Sequence, residues 1–489
     1  MELTNSHSNS IINDEFWRNY TIEKHNEFKY SRIDFIVFII ISAFISLLFN
    51  SFFARRFNSW KLDYFLINTK YLWLAYTPLA TYATIGLLKN NYHKNIYLER
   101  RTQSRDYKVI FQITTRGFNK ESILKSVKSV LYWATKYLKD FEIWIVTEDD
   151  VDKDFFENLR NINGEYCDLI KIIYVPREYR TKNNTKYKAR ALNYALEVRR
   201  KLGFISDKIW IYLMDEESIV GEDTIVGIID FIENSSNDGK LVGQGIIVYS
   251  NYWGVNKIIS VEDFLRTGDD ISKSGFHIFS GRVLWGTHGS HLLYRSDLED
   301  RIGWDYGEIR AEDMVFGLLV VKHYGDVLGW LKGKLYEQSP FSIRDFLKQR
   351  RRWLWGILDI ILKNNCIGLL DKLILVLNLV VWLTSLPSII IAYVNFIKPT
   401  PAPNILFTPI FGFEMCILLY LYYLGAKLNL SIINRNSKIH IIMYLTLIPI
   451  AGSLEAIAAW YGLLTYFKSS KSGFEIIRKE LVETNSIKN

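Results

Sequence analysis

The pattern of apolar and polar positions divides the chain into three regions. Two long apolar runs come first, at residues 36–53 and 71–88, and each approaches the roughly 20 residues that cross a bilayer core. From about Tyr107 the apolar runs are short and alternate with amphipathic stretches, and after about Asn365 the long runs return. The pattern therefore predicts a water-soluble region between two membrane regions. Two buried helices of a soluble protein are the alternative explanation for the first pair.

The middle region has the pattern of an α/β fold. Short runs rich in β-branched residues predict five strands, at residues 109–114, 142–147, 169–175, 209–214 and 241–248. Amphipathic stretches predict four helices, at residues 120–138, 154–160, 186–202 and 224–234. This alternation predicts a mostly parallel sheet with helices on both faces. Ligands of such sheets bind beyond the carboxyl ends of the strands, so polar residues that follow strands are the first candidates for a site.

Three apolar segments form the last region. Residues 373–397 and 405–424 predict two membrane spans, joined by a proline-rich link. The third segment, 439–467, contains Pro449 and Gly452 and predicts either one kinked span or a re-entrant pair of helices. A single span would place the basic tail opposite the middle region. A re-entrant pair would return the tail to the same side, which its lysines and arginines favour.

Charge indicates on which side of the membrane the middle region lies. The stretches on either side of it are basic and contain Lys89, Lys94, Arg100, Arg101, Arg105, Lys348, Arg350, Arg351 and Arg352. By the positive-inside tendency this predicts an integral, multi-pass membrane protein with the middle region in the cytosol. The first 30 residues are polar and charged, so no secretory signal is predicted.

Composition narrows the partners. Apolar residues make up 49% of the 489 residues, yet 23% are charged, so the chain is not embedded in a membrane throughout. The net charge of +8 suits an anionic membrane surface or a phosphorylated substrate. No nucleic acid partner is predicted, because zinc-ligand spacing, RNP-like motifs and basic helices do not stand out in the sequence. The three scattered cysteines, Cys167, Cys366 and Cys416, predict neither a disulfide scaffold nor a structural zinc site.

Three carboxylates follow the fourth predicted strand, in the segment IWIYLMDEES. In an extended chain residues two apart point to the same side, so Asp215 and Glu217 converge while Glu216 turns away. Two carboxylates at a strand end are suitable ligands for Mg²⁺ or Mn²⁺ bridging a diphosphate. A solvated acidic turn is the alternative explanation.

Polar residues also follow or precede the other strands. Lys188 lies at the start of a predicted helix, where a cation is unfavourable unless an anion such as a diphosphate lies there too. Glu148, Asp149 and Asp150 follow a strand, and a carboxylate here could accept hydrogen bonds from a nucleobase or cap the next helix. The segment TTRG contains Thr115 and Arg116, and Arg116 could approach a base or a phosphate. For Lys188, an exposed lysine on an amphipathic helix is the alternative.

Two further motifs lie nearer the last region. IRAEDMVF places Glu312 and Asp313 before an apolar helix, where acids are ordinary, but where one carboxylate could also take a proton as a general base. FLKQRRRWLWGI contains Gln349, Arg352 and Trp353 in the pattern Q-x-x-R-W. Arginine binds phosphate in a bidentate manner and tryptophan offers a flat apolar face to a sugar ring. An interfacial helix with basic and aromatic anchors explains the same residues, and both explanations can hold together.

These blocks, in this order, resemble the family-2 membrane glycosyltransferases of GT-A fold, which include cellulose and hyaluronan synthases. They are most similar to the egghead-type β-1,4-mannosyltransferases. The similarity covers about residues 108–480, and its blocks are TTRG, VP-x-E-Y-x-T, K-x-R-A-L-x-Y, L-x-DEE, GQG-x-I-x-Y, AED and YE-x-SPF…DFL-x-QR-x-RWL-x-GI. The resemblance implies a GT-A nucleotide-sugar-binding domain flanked by transmembrane helices. It also implies GDP-mannose as the donor, with a UDP-sugar as the alternative, and a lipid-linked sugar as the acceptor.

The resemblance also implies roles for the candidate residues. Glu148 lies near the base, with Thr115 and Arg116 beside the donor, and Lys188 lies near the diphosphate. Asp215 and Glu217 occupy the metal position, Asp313 beside Glu312 is the base, and Gln349, Arg352 and Trp353 line the acceptor and leaving-group side. Two blocks depart from the family pattern: the metal motif is D-E-E, and the base-binding position is E-D-D, which leaves its carboxylate open.

The resulting hypothesis is an inverting transferase that adds one sugar to a glycolipid. A processive synthase that extrudes a polymer, and a transporter or scaffold without enzyme activity, are the alternatives. The predicted division of the chain is a tail and hairpin (1–95), a cytosolic catalytic domain (96–340), an interfacial helix (341–366) and a membrane region with tail (367–489). Glu455, in the last apolar segment, is predicted to contact the acceptor, to partner a cation, or to reach the interface at a bend.

Overall fold

An eight-stranded mixed sheet forms the centre of the molecule, in the order β3-β2-β1-β4-β7-β6-β8-β5. The computed structural model describes residues 14–28, 32–47, 61–89, 97–100, 106–162, 164–251, 255–433, 435, 438–471 and 477. The strands are β1 (Lys108–Thr114), β2 (Phe141–Glu148), β3 (Ile170–Val175), β4 (Ile209–Asp215), β5 (Ile219–Val220), β6 (Val242–Asn251), β7 (Leu292–Arg295) and β8 (Leu328–Gln338). Only β5 and β7 run against the other strands, which confirms the predicted mostly parallel sheet.

The helices include those that cover both faces of this sheet and those of the apolar regions before and after it. In chain order they are α1 (Asp14–Trp17), α2 (Ile22–Asn26), α3 (Arg32–Leu47), α4 (Lys61–Thr69), α5 (Thr77–Lys89), α6 (Lys120–Tyr137), α7 (Lys153–Ile162), α8 (Tyr187–Lys201), α9 (Glu222–Glu233), α10 (Lys257–Asp269), α11 (Gly275–Ser280), α12 (Ser296–Ile302), α13 (Glu312–Tyr324), α14 (Ile343–Lys363), α15 (Leu369–Ile397), α16 (Phe407–Ile432), α17 (Lys438–Thr446) and α18 (Ile448–Thr465). Short 3₁₀ segments are Lys70–Tyr76, Gly164–Leu169, Ser235–Asp238 and Tyr466–Lys471, and Asp270–Ser274 is a π-helical turn.

The alternation of side chains along β1 shows how the two faces are filled. Val109, Phe111 and Ile113 belong to one hydrophobic cluster, with α6 and α9, whereas Ile110 belongs to a second cluster with α8, α13 and α14. Strands that are apolar on both sides are typical of a sheet covered by helices on both faces. All five predicted strands and all four predicted helices are present, with ends shifted by at most a few residues.

The segment before the first apolar run packs on the α/β region. Trp17, Tyr20 and Phe28 lie in the same core cluster as β1, and the backbone N–H of Glu222 donates to the carbonyl of Tyr20 at 2.7 Å. The buried His25 side chain lies 3.0 Å from Asp223 of α9. The sequence predicts only a tail and a hairpin for residues 1–95 and does not predict this contact. The division of the chain into four parts stays a prediction.

Among the residues that the structure describes, three helices are long and apolar enough to cross a membrane: Leu369–Ile397, Phe407–Ile432 and Ile448–Lys468, with a shorter apolar helix at Ile33–Leu47. Residues 36–47 of the first predicted span lie in α3. Residues 48–53 of that span, and Arg55 and Arg56 after it, lie outside the described ranges. The second, 71–88, is a 3₁₀ segment followed by α5 rather than one continuous α-helix.

The last apolar segment is divided into two helices. α17 ends at Thr446 and α18 begins at Ile448, with Pro449 in its first turn, where a missing N–H costs nothing. Beyond α18, the carbonyl of Ile477 accepts a hydrogen bond from Asn119 of the α/β region at 3.3 Å. Before α17, Asn429 near the end of α16 accepts a hydrogen bond from the Tyr249 N–H at 2.6 Å. Residues on either side of the α17–α18 segment, Asn429 and Ile477, therefore contact the α/β region.

Candidate active site

The carboxyl ends of three neighbouring strands meet at one edge of the sheet. In register, Thr114 of β1 lies between Val146 of β2 and Asp215 of β4. Beyond this edge lies a cavity of about 1860 Å³. Its walls contain every residue proposed from the sequence for the site: Thr115, Arg116, Glu148, Lys188, Asp215, Glu217, Glu312, Asp313, Gln349, Arg352 and Trp353. Residues spread over more than 200 positions of the chain are thus brought together, and their individual roles stay predictions.

Lys188 connects the acidic strand end to a neighbouring loop. Its Nζ donates to Asp215 at 2.6 Å and to the carbonyl of Gly289 at 3.0 Å. Burial opposes its charge, but Asp215, Glu312 and Asp313 together raise the pKa of Lys188 above its usual value. The helix that carries it begins at Tyr187, whose φ of 58° lies in the left-handed region that non-glycine residues rarely adopt. Such a conformation is held by its surroundings and is common at functional sites.

The three carboxylates at the end of β4 have different surroundings. Glu216 accepts hydrogen bonds from the Thr115 hydroxyl and from Asn119. Burial, with the neighbouring Glu217 and Asp215, raises the pKa of Glu216 to about 7. Within the described residues, groups of three or more His, Cys, Asp or Glu side chains suited to a metal ion are absent. Asp215 and Glu217 nevertheless fit a Mg²⁺-type ion, because such ions are commonly held by one or two carboxylates together with substrate phosphates.

Glu148 is the carboxylate of the E-D-D segment that reaches the cavity. It accepts a hydrogen bond from Nη1 of Arg190 at 2.6 Å, and Arg190 also donates to the carbonyl of Pro176. Asp149 and Asp150 form ion pairs with Lys153 and Arg177 instead. Arg190 was missed in the sequence analysis, although it is the arginine of the K-x-R-A-L-x-Y block.

Glu312 and Asp313 differ in their surroundings at the start of α13. Glu312 is buried, and burial together with Asp313 raises the pKa of Glu312 well above its usual value. Asp313 is half-buried on the cavity wall and accepts a hydrogen bond from the Met314 N–H at 2.9 Å. Burial also raises the pKa of Asp313, while Lys188 opposes that rise. Of the two, the more buried Glu312 therefore keeps a proton more readily.

A loop between α11 and β7 closes against this pair. The Thr287 hydroxyl donates to the carbonyl of Asp313 at 2.8 Å, and His288 Nε2 lies 2.6 Å from Asp270. Burial lowers the pKa of His288, but Asp270 raises it, and the net shift is upward. A Cβ on Gly289 would lie 3.0 Å from Asp313 Oδ2, so the glycine permits this close approach. His288 and Asp270 are not among the residues predicted from the sequence, where the two glycines of GTHGS were the available signal.

The Q-x-x-R-W residues lie on α14, whose first N–H groups are capped by Ser342. Gln349, Arg352 and Trp353 face the cavity. The Gln349 side chain accepts a hydrogen bond from Arg350 at 2.7 Å, and Arg352 is close enough to Glu312 to lower that group's pKa. This side of the cavity is therefore cationic and aromatic, opposite the acidic strand end.

The cavity continues between the apolar helices. Its walls include Trp382 and Tyr393 of α15, Phe411 and Leu418 of α16, and Gly452 and Glu455 of α18. One continuous space thus joins the carboxyl edge of the sheet to the helices that are long enough to cross a membrane.

Comparison with known proteins agrees with this arrangement. A family model described as glycosyl transferase family group 2 matches residues 210–431. The beta-1,4-mannosyltransferase bre-3 of Caenorhabditis elegans is 33% identical over 323 residues, which cover 64% of this chain and 68% of that protein. The chain belongs to the egghead-type branch of the family-2 glycosyltransferases. The beta-1,4-mannosyltransferase egh of Drosophila melanogaster is 29% identical over 388 residues, or 76% of this chain and 78% of that one.

Two solved structures show more distant similarity. The mannosyltransferase PcManGT from Pyrobaculum calidifontis, in complex with GDP-Man and Mn²⁺, aligns with a TM-score of 0.43 and 13% identity over 83% of this chain and 100% of that one. The mannosyltransferase Ktr4p from S. cerevisiae, in complex with GDP, aligns with a TM-score of 0.27 and 9% identity over 62% of this chain and 86% of that one.

The predicted family, the α/β GT-A fold and the assignment as a mannosyltransferase-like glycosyltransferase are confirmed. Because the chain is a glycosyltransferase, the transporter or scaffold alternative is set aside. The apolar helices agree with a membrane protein.

Proposed function

We propose that this glycosyltransferase transfers mannose from GDP-mannose, in β linkage and with inversion, onto a membrane glycolipid. One observation carries the proposal: a single cavity contains the acidic strand end and Asp313, and continues between the apolar helices. A soluble donor and a membrane-held acceptor would therefore meet in the same space. The beta-1,4-mannosyltransferases among the relatives support mannose as the sugar.

The donor would occupy the sheet edge. Asp215 and Glu217 would hold a divalent metal, Mn²⁺ or Mg²⁺, which neutralises charge on the diphosphate when bound. Lys188 would exchange its contact with Asp215 for the phosphates. Glu148 would accept hydrogen bonds from the base, and Arg116 and Thr115 would lie beside it. Guanine presents two neighbouring N–H donors to a carboxylate whereas uracil has a single N–H group, and this favours GDP over UDP.

The transfer would be a single displacement. An acceptor hydroxyl attacks C1 of the sugar, the bond from C1 to the diphosphate oxygen breaks, and Asp313 takes the hydroxyl proton. One displacement on an α-linked donor gives a β-linked product. Arg352 would stabilise the charge on the departing nucleoside diphosphate, and protonated Glu312 would keep a second negative charge away from Asp313.

The acceptor would enter from the membrane side. Gln349 and Trp353 would contact its sugar, and the part of the cavity between α15, α16 and α18 would hold its lipid. We also propose that α15 and α16 cross the membrane and that α17 and α18 form a re-entrant pair. The basic flanks of the α/β region support its location in the cytosol.

The test is nucleotide release and product mass with lipid-reconstituted protein. GDP-mannose, UDP-glucose and UDP-N-acetylglucosamine are offered with a glucosyl lipid and with Mn²⁺, Mg²⁺ or a chelator. We expect metal-dependent release of GDP and a lipid product heavier by one mannose. UDP release would contradict the donor, a ladder of products would favour a processive synthase, and activity that persists in chelator would contradict the metal role of Asp215 and Glu217.

A further inference from the structure

A buried ion cluster lies directly behind the Q-x-x-R-W residues. The guanidinium of Arg350, 1% exposed, donates to Asp263 of α10 at 2.6 Å and to Glu455 of α18 at 2.7 Å. Its remaining terminal nitrogen, Nη1, donates to Gln349 at 2.7 Å. One arginine thus joins three helices, because α10, α14 and α18 each supply a partner. It also holds the side-chain oxygen of a residue proposed to contact the acceptor.

The same cluster contacts Trp353. The guanidinium carbon of Arg350 lies 4.2 Å from the centroid of the Trp353 ring, and that of Arg266 from α10 lies at the same distance. Arg266 lies 4.0 Å from Asp263, so the carboxylate that binds Arg350 also lies beside the second cation. Cation–π contacts of this kind favour a defined ring orientation. Gln349 and Trp353 are therefore both oriented by groups that Asp263 anchors.

Stability alone is a poor explanation for such a cluster. Removing charges from water is costly, and a buried ion pair is often no more stabilising than apolar residues of similar size. Charge-assisted hydrogen bonds instead fix the orientation of the groups they join, because a guanidinium group binds carboxylates in a defined geometry. Glu455 lies in a candidate membrane span, where ionisable residues are rare and are commonly functional. Its partner is Arg350, one of the contacts predicted for it.

We propose that Asp263 and Glu455 are positioning residues for sugar transfer. Through Arg350 they set Gln349 and Trp353 against the acceptor, and they fix α14 between the α/β region and the re-entrant helices. Neither residue takes part in bond making or breaking. This inference rests on the proposed function, in which Gln349 and Trp353 contact the acceptor sugar.

The test compares two buried carboxylates that each bind an arginine. Glu455→Gln removes the charge beside Arg350, and Glu299→Gln removes the charge beside Arg199, a fully buried pair at 2.6 Å whose residues are not on the cavity wall. We expect Glu455→Gln to raise the acceptor KM about tenfold with the donor KM unchanged within about twofold. Glu455→Asp, which keeps the charge, should recover part of the acceptor affinity. Glu299→Gln should lower the melting temperature and leave both KM values unchanged.

A second measurement does not depend on turnover. In protein labelled with 5-fluorotryptophan, the Trp353 resonance is identified by its loss in Trp353→Phe. We expect Glu455→Gln and Asp263→Asn to shift or broaden this resonance, and Glu299→Gln to leave it unchanged. An unmoved resonance, or an unchanged acceptor KM in active Glu455→Gln, overturns the positioning role. Inactivity of the wild-type protein with every donor overturns the proposed function instead, and the fluorine spectrum still decides the positioning of Trp353.

Discussion

At the scale of single residues, neighbouring carboxyl groups of the site differ in how readily they keep a proton. Burial raises the pKa of Glu216 to about 7 and the pKa of Glu312 well above its usual value, whereas Asp313 beside Glu312 is only half-buried. Two carboxyl groups that interact strongly titrate as a pair, and the more buried member keeps the proton more readily. In the proposed mechanism, the less buried Asp313 acts as the base beside a protonated Glu312.

This separation predicts different effects for the two acids at the start of α13. Asp313→Asn should reduce transfer by about 10²–10⁴-fold, the usual contribution of a general base, and should retain GDP-mannose binding. Glu312→Gln, which imitates the protonated acid, should reduce transfer far less. Single-turnover transfer and equilibrium binding of GDP-mannose measure the two effects. Equal losses in both variants, or normal turnover in Asp313→Asn, would remove Asp313 from its role as base.

Glu262, next to Asp263 on α10, interacts with Glu455 and Arg350 and provides a pH-dependent test at the buried ion cluster. Burial, then the charge of Glu455, raises the pKa of Glu262 from 4.5 to about 8, while hydrogen bonding to Tyr422 and the charge of Arg350 oppose the rise. Between these two values the folded state binds the proton and the unfolded state does not, so stability falls as pH rises from 4.5 to about 8. Glu262→Gln cannot ionise and should lose that part of the decline.

Thermal unfolding of detergent-solubilised protein at pH 5 and pH 9 measures this difference. The melting temperature of Glu262→Gln relative to wild type should be higher at pH 9 than at pH 5, by about 2 °C or more. Asp300→Asn, which removes a partly exposed carboxylate paired with Arg200, is the control and should show no such trend. A constant offset between Glu262→Gln and wild type at both pH values would contradict the raised pKa.

At the scale of elements, one loop approaches Asp313 and Lys188 closely at a glycine. A Cβ on Gly289 would meet Asp313 Oδ2 at 3.0 Å and Lys188 Nζ at 3.4 Å. Gly289→Ala should therefore displace the proposed base or the diphosphate lysine, and should lower kcat about tenfold or more without unfolding the protein. Gly368→Ala is the control, because its new Cβ would meet only Asp371, at 3.4 Å. Equal activity of the two variants would show that the loop accommodates the added methyl group and that catalysis does not require Gly289.

Elements with regular patterns were predictable, and those built from short or distant pieces were not. β1, β2 and β4 consist mostly of apolar residues, so their ends and the acids after them could be placed from the sequence. β5 has two residues and β7 has four, too few to show a period, and β8 carries two lysines and a glutamate within its 11 residues. The pair His288 and Asp270 joins a loop to a π-helical turn, a contact that only tertiary packing creates.

At the scale of the whole molecule, the α/β region and the helical region are joined at several points. α14 leads from the sheet to α15, α10 packs against α16, and β6 binds Asn429 near the end of α16. Under the proposed function, the cavity that crosses this junction holds the donor in the α/β region and the acceptor lipid between the apolar helices. Transfer between a soluble donor and a membrane acceptor requires that both regions keep a fixed relative position.

Helix lengths indicate how the chain returns after α16. α17 has nine residues and extends about 14 Å, under half of a bilayer core of about 30 Å, so it cannot cross alone. α16 ends at the α/β region, and Ile477, after α18, hydrogen-bonds to Asn119 of the same region. These contacts support the proposed re-entrant pair, in which the α17–α18 segment enters the membrane and returns on one side. Under that proposal, the proline-rich link between α15 and α16 lies on the opposite side.

Cysteine labelling in sealed vesicles tests this topology. In a chain without Cys167, Cys366 and Cys416, single cysteines are introduced by Lys201→Cys in the α/β region, Ala402→Cys in the link and Asn489→Cys at the tail. With the α/β region facing outward, an impermeant maleimide should label Lys201→Cys and Asn489→Cys at once, and Ala402→Cys only after detergent is added. Protection of Asn489→Cys while Lys201→Cys is labelled would mean that α18 crosses the membrane completely. The contact between Ile477 and Asn119 would then be impossible, so the same result would overturn both the re-entrant pair and the contact of residue 477 with the α/β region.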